Sequence, residues 1–244
     1  MSRPNGWTVY DGPGLDGAPI IGVITGTARP SANVKTGPMA QLWVLAREVT
    51  PPRAHADRVP GNGCSGCPLV EACYVDRGKA PRAVWDAWHR GAYPVWPGTV
   101  FTRALRFGAY GDPASLPVAV AESLAVAAPK GRTGYTHLWR TLTGRTGHRW
   151  KRLLMASVED DASEALARRR GWRTFRVAPA GADAAPVPGA ILCPADSHGV
   201  QCADCRLCDG APRGRADRRP SIWIPAHGRM AARLPAKDAQ EATR

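Results

Sequence analysis

The sequence predicts an α/β fold: an open or partial (β/α) barrel of mostly parallel strands, with a cysteine-rich metal-binding segment near the C-terminus. Three observations predict it. Short apolar runs alternate with helix-like stretches between residues 41 and 225, the pattern of strands joined by crossover helices. Residues that carry chemistry follow those runs: Cys64, Gly111-Asp112-Pro113, Glu159-Asp160 and Cys193. In folds of this class ligands sit beyond the C-terminal ends of the strands. Finally, all seven cysteines fall into two groups, Cys64, Cys67 and Cys73, and Cys193, Cys202, Cys205 and Cys208.

Residues 1–38 are rich in Gly, Pro and small polar residues and read as a loop-rich segment. One apolar run, 18–24, reads as a strand that stops at Gly26. Residues 33–39 read as a loop, and their Lys35-Thr36-Gly37 lacks the upstream glycines of a phosphate loop. Residues 41–45, QLWVL, are a buried strand, and 47–63, with Pro51, Pro52 and Pro60, an irregular connection. Residues 81–90 start with Pro and continue with good helix formers, which predicts a helix. A strand over 100–107 leads into the turn GAYGDP at 108–113, followed by a helix over 117–128 and a short strand over 134–139. A strand over 153–158 precedes Glu159, Asp160 and Asp161. The helix that follows has acids at its positive end and arginines at its negative end, as the macrodipole favours, and Gly171 ends it. Strands follow over 172–177, 190–192 and 221–225. Residues 39–228 thus form the α/β unit, and 229–244 a flexible polar tail.

The 244 residues contain no apolar run long enough to span a membrane, which takes about 18 residues or more. The first residues lack the apolar core of a secretory signal. The expectation is a reducing cytoplasm, where clustered cysteines are ligands rather than disulfides. Formal net charge is +13. Residues 130–152 carry Lys130, Arg132, Arg140, Arg145, Arg149, Lys151 and Arg152 with no acid, and Tyr135, Trp139 and Trp150 lie between them. Basic side chains among aromatics suit a nucleic acid or nucleotide; the alternative is a solvated basic face.

The downstream cysteines read C-x8-C-x2-C-x2-C. A compact C-x2-C-x2-C with a remote Cys-Pro is the ligand vocabulary of ferredoxin-type clusters, although here Cys193-Pro194 comes first. Four thiolates also make a closed zinc site, and His198 could replace one of them. The upstream group, C-x2-C-x5-C, has no fourth cysteine nearby. Three thiolates on a four-iron cluster leave one iron free for a ligand. The alternatives are a zinc site completed by His55, His89 or Asp76, or two groups that meet and share ligands.

His137 in GYTHLW and His227 in PAHG each lie at or just after a strand, as proton-transfer groups or as structural histidines. Glu159, Asp160 and Asp161 suit a cofactor ribose or a helix N-cap equally. The tryptophans read as core and site lining. There is no dinucleotide-binding fingerprint, no two-histidine metal helix and no internal repeat.

A three-cysteine group after one strand, Gly-Asp-Pro after the next and a second cysteine set near the C-terminus together resemble the radical S-adenosylmethionine superfamily. The resemblance implies a partial (β/α) barrel in which Cys64, Cys67 and Cys73 hold a 4Fe-4S cluster whose free iron binds S-adenosylmethionine. It makes Gly108, Gly111, Asp112 and Pro113 the turn that holds the cofactor's amino group. Cys193, Cys202, Cys205 and Cys208 would then hold an auxiliary cluster, and an electron donor is an implied partner. Asp112 and His137 are the candidate catalytic groups. The spacing here differs from the family's C-x3-C-x2-C, and Asp stands where the turn usually has Glu. The whole chain also resembles a family of phage and actinobacterial proteins that share the KTG segment, the CYV element, the GAYGDP turn and the C-terminal cysteines, a resemblance that implies no particular reaction. The contrasting function is a zinc- or cluster-stabilised protein that binds nucleic acid without catalysis.

Overall fold

The computed structural model describes residues 4–182, 185, 187–211, 217, 219–228 and 231–234. Their strands form one nine-stranded, open, mostly parallel sheet. In chain order the strands are β1 (Gly6–Pro13), β2 (Pro19–Thr25), β3 (Ala40–Ala46), β4 (Leu105–Tyr110), β5 (Arg132–Thr136), β6 (Met155–Val158), β7 (Thr174–Ala178), β8 (Ile191–Leu192) and β9 (Ile222–Pro225). The helices are α1 (Pro51–Ala56), α2 (Ala80–His89), α3 (Val118–Ala127), α4 (Gly144–Lys151), α5 (Asp161–Arg169), α6 (Pro194–Ser197) and α7 (Cys202–Cys205). The sheet order is β1-β2-β3-β4-β5-β6-β7-β9-β8. β1, β2 and β3 pair antiparallel, and every pair from β3 onward is parallel. From β3 to β7 each strand lies beside its successor in the chain, with β9 next.

The apolar pattern explains which face each element covers. β3 is buried along its whole length, as a strand between two neighbours with both faces covered must be. Leu42 and Val44 face one core with Leu105, Phe107, Leu124, Trp150 and Ala167, so α3, α4 and α5 cover the same face. Trp43 and Leu45 face the other way, where Val84 of α2 and the Cys64 side chain pack. Further along that second face Met155, Phe175 and Ile222 are covered by Cys193, Leu207 and Cys208. The cysteine-rich segment is therefore part of a hydrophobic layer.

Several elements differ from the sequence expectation. Residues 6–25 form two antiparallel strands rather than a loop-rich stretch with one strand. β1 contains Gly and Pro, which an edge strand tolerates because only one side is hydrogen-bonded. α1 replaces part of the irregular connection, with Pro in its first turn, where a backbone N–H has no intrahelical partner anyway. α4 carries two glycines and has poor intrinsic propensity, but Gly147 packs on the Leu142 backbone and Trp150 is fully buried. Tertiary packing overrides propensity there. β4 begins at Leu105, not at residue 100, and β5 ends at Thr136, where Leu138–Arg140 form a 3-10 turn. Of the expected tail, Ala231–Arg233 form a 3-10 turn followed by Leu234, and residues 229–230 and 235–244 lie outside the described residues. No described helix is long and apolar enough to cross a membrane.

Candidate thiolate site at the strand ends

Asn62 and Gly63 deliver the upstream cysteines to the end of β4. Asn62 Oδ1 accepts the Cys64 N–H at 3.1 Å, and the Asn62 carbonyl accepts the Asp112 N–H at 2.8 Å. The Cys64 sulfur lies within electrostatic reach of the Gly111 backbone N–H. Gly111 has φ +75°, and a Cβ there would lie 2.0 Å from the Val44 carbonyl oxygen, so only glycine lets the turn after β4 press against β3. Cys67 N–H bonds the Cys64 carbonyl at 3.2 Å, closing a turn that brings both thiols to one side. Burial, then the neighbouring thiolates of Cys67 and Cys73, then Asp112, push the Cys64 thiol well above its usual range. All seven thiols are free of disulfides.

The second layer of the site comes from the ends of β5 and β6. Asp112 is buried, and its carboxylate accepts three backbone N–H groups: Ala114 at 2.9 Å, His137 at 2.7 Å and Leu138 at 3.3 Å. That fixes His137, whose Nδ1 lies 3.6 Å from the Cys67 sulfur. On its other side Nε2 lies 3.2 Å from Glu159 Oε1. The pair is close but off-axis, since neither atom completes a hydrogen bond of good geometry. Glu159 Oε2 in turn accepts from Arg140 at 3.0 Å. Burial works to lower the His137 pKa, but the contacts to Cys67 and Glu159 outweigh it and raise the imidazole to about 10.

The other predicted ligands of this group sit elsewhere. His89 stacks on Trp85 at 3.6 Å between ring centroids, and Asp76 bonds the Gly78 N–H at 3.1 Å. His55 lies among Arg77, Glu71 and Arg58. His227 stacks on Tyr74 at 5.4 Å and is exposed. Asp160 caps α5 through the Ser163 N–H at 2.6 Å, and Asp161 pairs with Arg176 at 2.9 Å, so both carboxylates serve the helix. The Asp112 carboxylate, satisfied by main-chain donors, is a positioning group for the turn.

Of the downstream cysteines, Cys193 follows a strand as the sequence suggests, and Cys202, Cys205 and Cys208 do not stay at that end. Cys193 follows the short edge strand β8, and its N–H bonds the Trp223 carbonyl at 2.9 Å. Residues 202–211 then run past the beginnings of the parallel strands. Cys202 and Ala203 donate to the carbonyls of Lys35 and Thr36, just before β3, at 3.1 and 3.2 Å. The Cys208 carbonyl accepts from Gly134 at 2.8 Å, and Ala211 donates to Lys151 at 2.8 Å. Arg173, just before β7, donates to the carbonyls of Leu207 at 2.8 Å and Asp209 at 2.7 Å. Burial, then Cys193, Cys202 and Cys205, raise the Cys208 thiol; burial, then Cys193, raise that of Cys202. The four thiols are thus within electrostatic reach of one another. His198 turns away, with Nδ1 at 2.6 Å from the Ser197 hydroxyl.

Sequence reasoning missed the part played by the KTG segment. It is a clamp, holding the first turn of α7 through its carbonyls, with Lys35 on Asp196 at 2.9 Å and Gln201 on the Val34 carbonyl at 3.1 Å. Arg106 is joined at 2.6 Å to Tyr74, the residue after Cys73, and Arg106 and Tyr135 both lie within electrostatic reach of the downstream thiols. Neither could be placed there from spacing alone.

The basic stretch divides. Trp139 and Trp150 are core residues, and Tyr135 stacks on Phe175 at 4.2 Å, so these rings are not a platform for bases. Arg132 donates to the Arg152 carbonyl at 2.7 Å, Arg140 binds Glu159 and Lys151 binds the Arg170 carbonyl. The Lys130 carbonyl accepts from Arg206 at 2.8 Å. Arg145, His148, Arg149 and Arg152 share one face of α4 and its end, where with Glu122 they line an open groove of about 670 Å³.

Among the described residues no three His, Cys, Asp or Glu side chains gather around one point as a single metal ion requires. One ion draws its donors to about 2.3 Å from a common centre. A four-iron cluster asks for a different donor arrangement, one thiolate to each iron. Comparison of the chain with protein-family models, with curated proteins and with solved structures finds no match.

Proposed function

We propose that the chain is an iron–sulfur protein of the radical S-adenosylmethionine type, built on a partial (β/α) barrel. Cys64, Cys67 and Cys73 hold a catalytic 4Fe-4S cluster, and Cys193, Cys202, Cys205 and Cys208 hold an auxiliary one. The observation that carries this reading is the Asn62 bridge, whose side chain accepts the Cys64 N–H while its carbonyl accepts the Asp112 N–H. It joins the three-thiol loop that leaves β3 to the glycine turn that ends β4. The strand order supports it. From β4 to β7 the sequential parallel neighbours send their crossovers, α3, α4 and α5, to one face, as in barrel-type winding, while α2 before β4 packs on the other; a doubly wound sheet reverses its order midway.

When bound, such a cluster supplies one-electron chemistry. The chain's own residues divide the remaining work. The upstream group, at the strand ends, has three thiols and would leave one iron free for a cofactor. With the Asp112 carboxylate occupied, an amine is left to the main-chain groups of the turn at Gly108–Gly111. The downstream group is tied by hydrogen bonds to the loop before β3, to β5 and to the Arg173 side chain before β7, and its role is structural. Anaerobic purification with iron, sulfide and zinc analysis tests the reading. Iron and sulfide in equal amounts are expected; zinc without sulfide contradicts it.

The α4 face favours a second reading, contact with a nucleic acid. Arg145, His148, Arg149 and Arg152 recur at i, i+3, i+4 and i+7, so they form one stripe, which suits a phosphate backbone. Fluorescence anisotropy with a labelled oligonucleotide should show binding that weakens with salt and is lost in an Arg145→Glu, His148→Glu variant. Equal binding by that variant excludes this surface.

A further inference from the structure

We propose that His137 is a positioning residue of the upstream thiolate group, donating a hydrogen bond from Nδ1 to the Cys67 sulfur and thereby setting how readily the bound cluster is reduced. The inference deepens the iron–sulfur reading and rests on it.

The geometry comes from four elements. Cys67 arrives on the loop after β3, His137 at the end of β5, Glu159 at the end of β6, and Arg140 from the 3-10 turn between them. The backbone of His137 is held by Asp112 at 2.7 Å, so the ring has a fixed origin. Nδ1 then faces sulfur at 3.6 Å, inside hydrogen-bond range for that large atom, and Nε2 faces the Glu159 carboxylate at 3.2 Å. A thiolate and a carboxylate both accept and do not donate. Nδ1, which faces the sulfur, is therefore the nitrogen placed to donate to it.

Glu159 is itself secured. Its side chain is 10% exposed and pairs with Arg140, whose guanidinium lies 4.5 Å from the ring of the buried Trp139. Among the described residues His137 is the histidine whose ring meets a cysteine sulfur. A hydrogen bond to a ligand sulfur withdraws charge and favours the more negative, reduced cluster. The downstream thiols have no such partner among the described histidines.

The test uses the full-length, anaerobically prepared protein and the variants His137→Ala, His137→Asn and Glu159→Gln. Redox titration followed by electron paramagnetic resonance reads the two clusters separately. In His137→Ala the upstream cluster should become about tenfold harder to reduce, close to 59 mV for one electron. Its resonance should change, with iron content and the downstream potential unaltered. Glu159→Gln should shift it less in the same direction, and His137→Asn, which keeps an N–H donor, should recover part of the loss. Unchanged potentials in an iron-replete His137→Ala overturn the inference while leaving the iron–sulfur reading intact. Iodoacetamide alkylation of the metal-free protein decides the contact itself. Without the donor, Cys67 should react several-fold more slowly and Cys73 at its former rate. Equal Cys67 rates overturn the contact, even in a chain that proves to hold no iron.

Discussion

Asp112 Oδ2 accepts the backbone N–H of His137 at 2.7 Å, tying the turn after β4 to the end of β5. The same buried carboxylate also takes the N–H groups of Ala114 and Leu138. Hydrogen bonds to a charged acceptor contribute about 1.5–3 kcal/mol each, and a buried donor left alone costs about as much. Asp112→Ala should therefore destabilise the chain by at least ~3 kcal/mol in urea unfolding. Asp112→Asn, which keeps one acceptor oxygen, should cost clearly less. An alanine variant as stable as the parent would remove Asp112 from its positioning role.

The close approach of Gly111 to β3 gives a sharper expectation. A Cβ there meets the Val44 carbonyl, and the positive φ is strained for any other residue. Gly111→Ala has to move the turn, and with it the Asp112 N–H that binds the Asn62 carbonyl beside Cys64. Iron at the upstream group should fall, and iron at the downstream group should stay. A fully iron-loaded Gly111→Ala contradicts the arrangement.

The clamp on α7 makes a separable prediction. Gly37 has φ +66°, and a Cβ at that position would lie 2.4 Å from Gln201 Oε1. Gly37→Ala should loosen Gln201 and expose Cys202 and Cys205 to alkylation in the metal-free protein, leaving Cys64 protected. Lys35→Ala should matter little, since a half-exposed ion pair such as Lys35–Asp196 is worth about 0–1 kcal/mol. Mass spectrometry of alkylated peptides separates the two outcomes.

Acid stability has an assignable component in α5. Burial opposes it, but the Ser163 N–H and hydroxyl, then Arg176 and Arg140, hold the Asp160 carboxyl below the usual range. A group depressed in the folded state contributes stability that is present above its unfolded pKa of about 3.9 and lost as pH falls toward the folded value. Asp160→Asn still caps the helix but does not titrate, so its stability should fall less between about pH 4 and pH 2. Parallel acid limbs for parent and variant would place the titration elsewhere. At neutral pH Asp160→Ala should cost ~1 kcal/mol.

Much of the sheet is legible in the sequence. QLWVL, WRTFRV and SIWIP are apolar or β-branched runs bounded by turn residues, and α5 announces itself through its acids and arginines. β1 and α4 are not legible, because Gly and Pro suppress local propensity and only pairing or packing rescues them. The cysteine groups are visible as spacing, but spacing does not say at which end of a strand a segment docks. Cys202–Cys208 follow a strand in sequence, yet return to the beginnings of β3, β5 and β7. The contact between Cys67 and His137 spans 70 residues of sequence, and no local pattern encodes it. Trp139 and Trp150 look like partners for the basic residues in sequence, but helix periodicity and the sheet turn them into the core.

The central claim is that two separate thiolate groups, one at the strand ends and one at the strand beginnings, each hold a cluster. Iron per chain in the parent and in the Cys64→Ser, Cys67→Ser, Cys73→Ser variant tests it directly. The account predicts about eight iron atoms for two four-iron clusters, falling to about half in the variant with its unfolding midpoint nearly unchanged. A parent without iron, or a folded variant that loses all of it, would contradict the account.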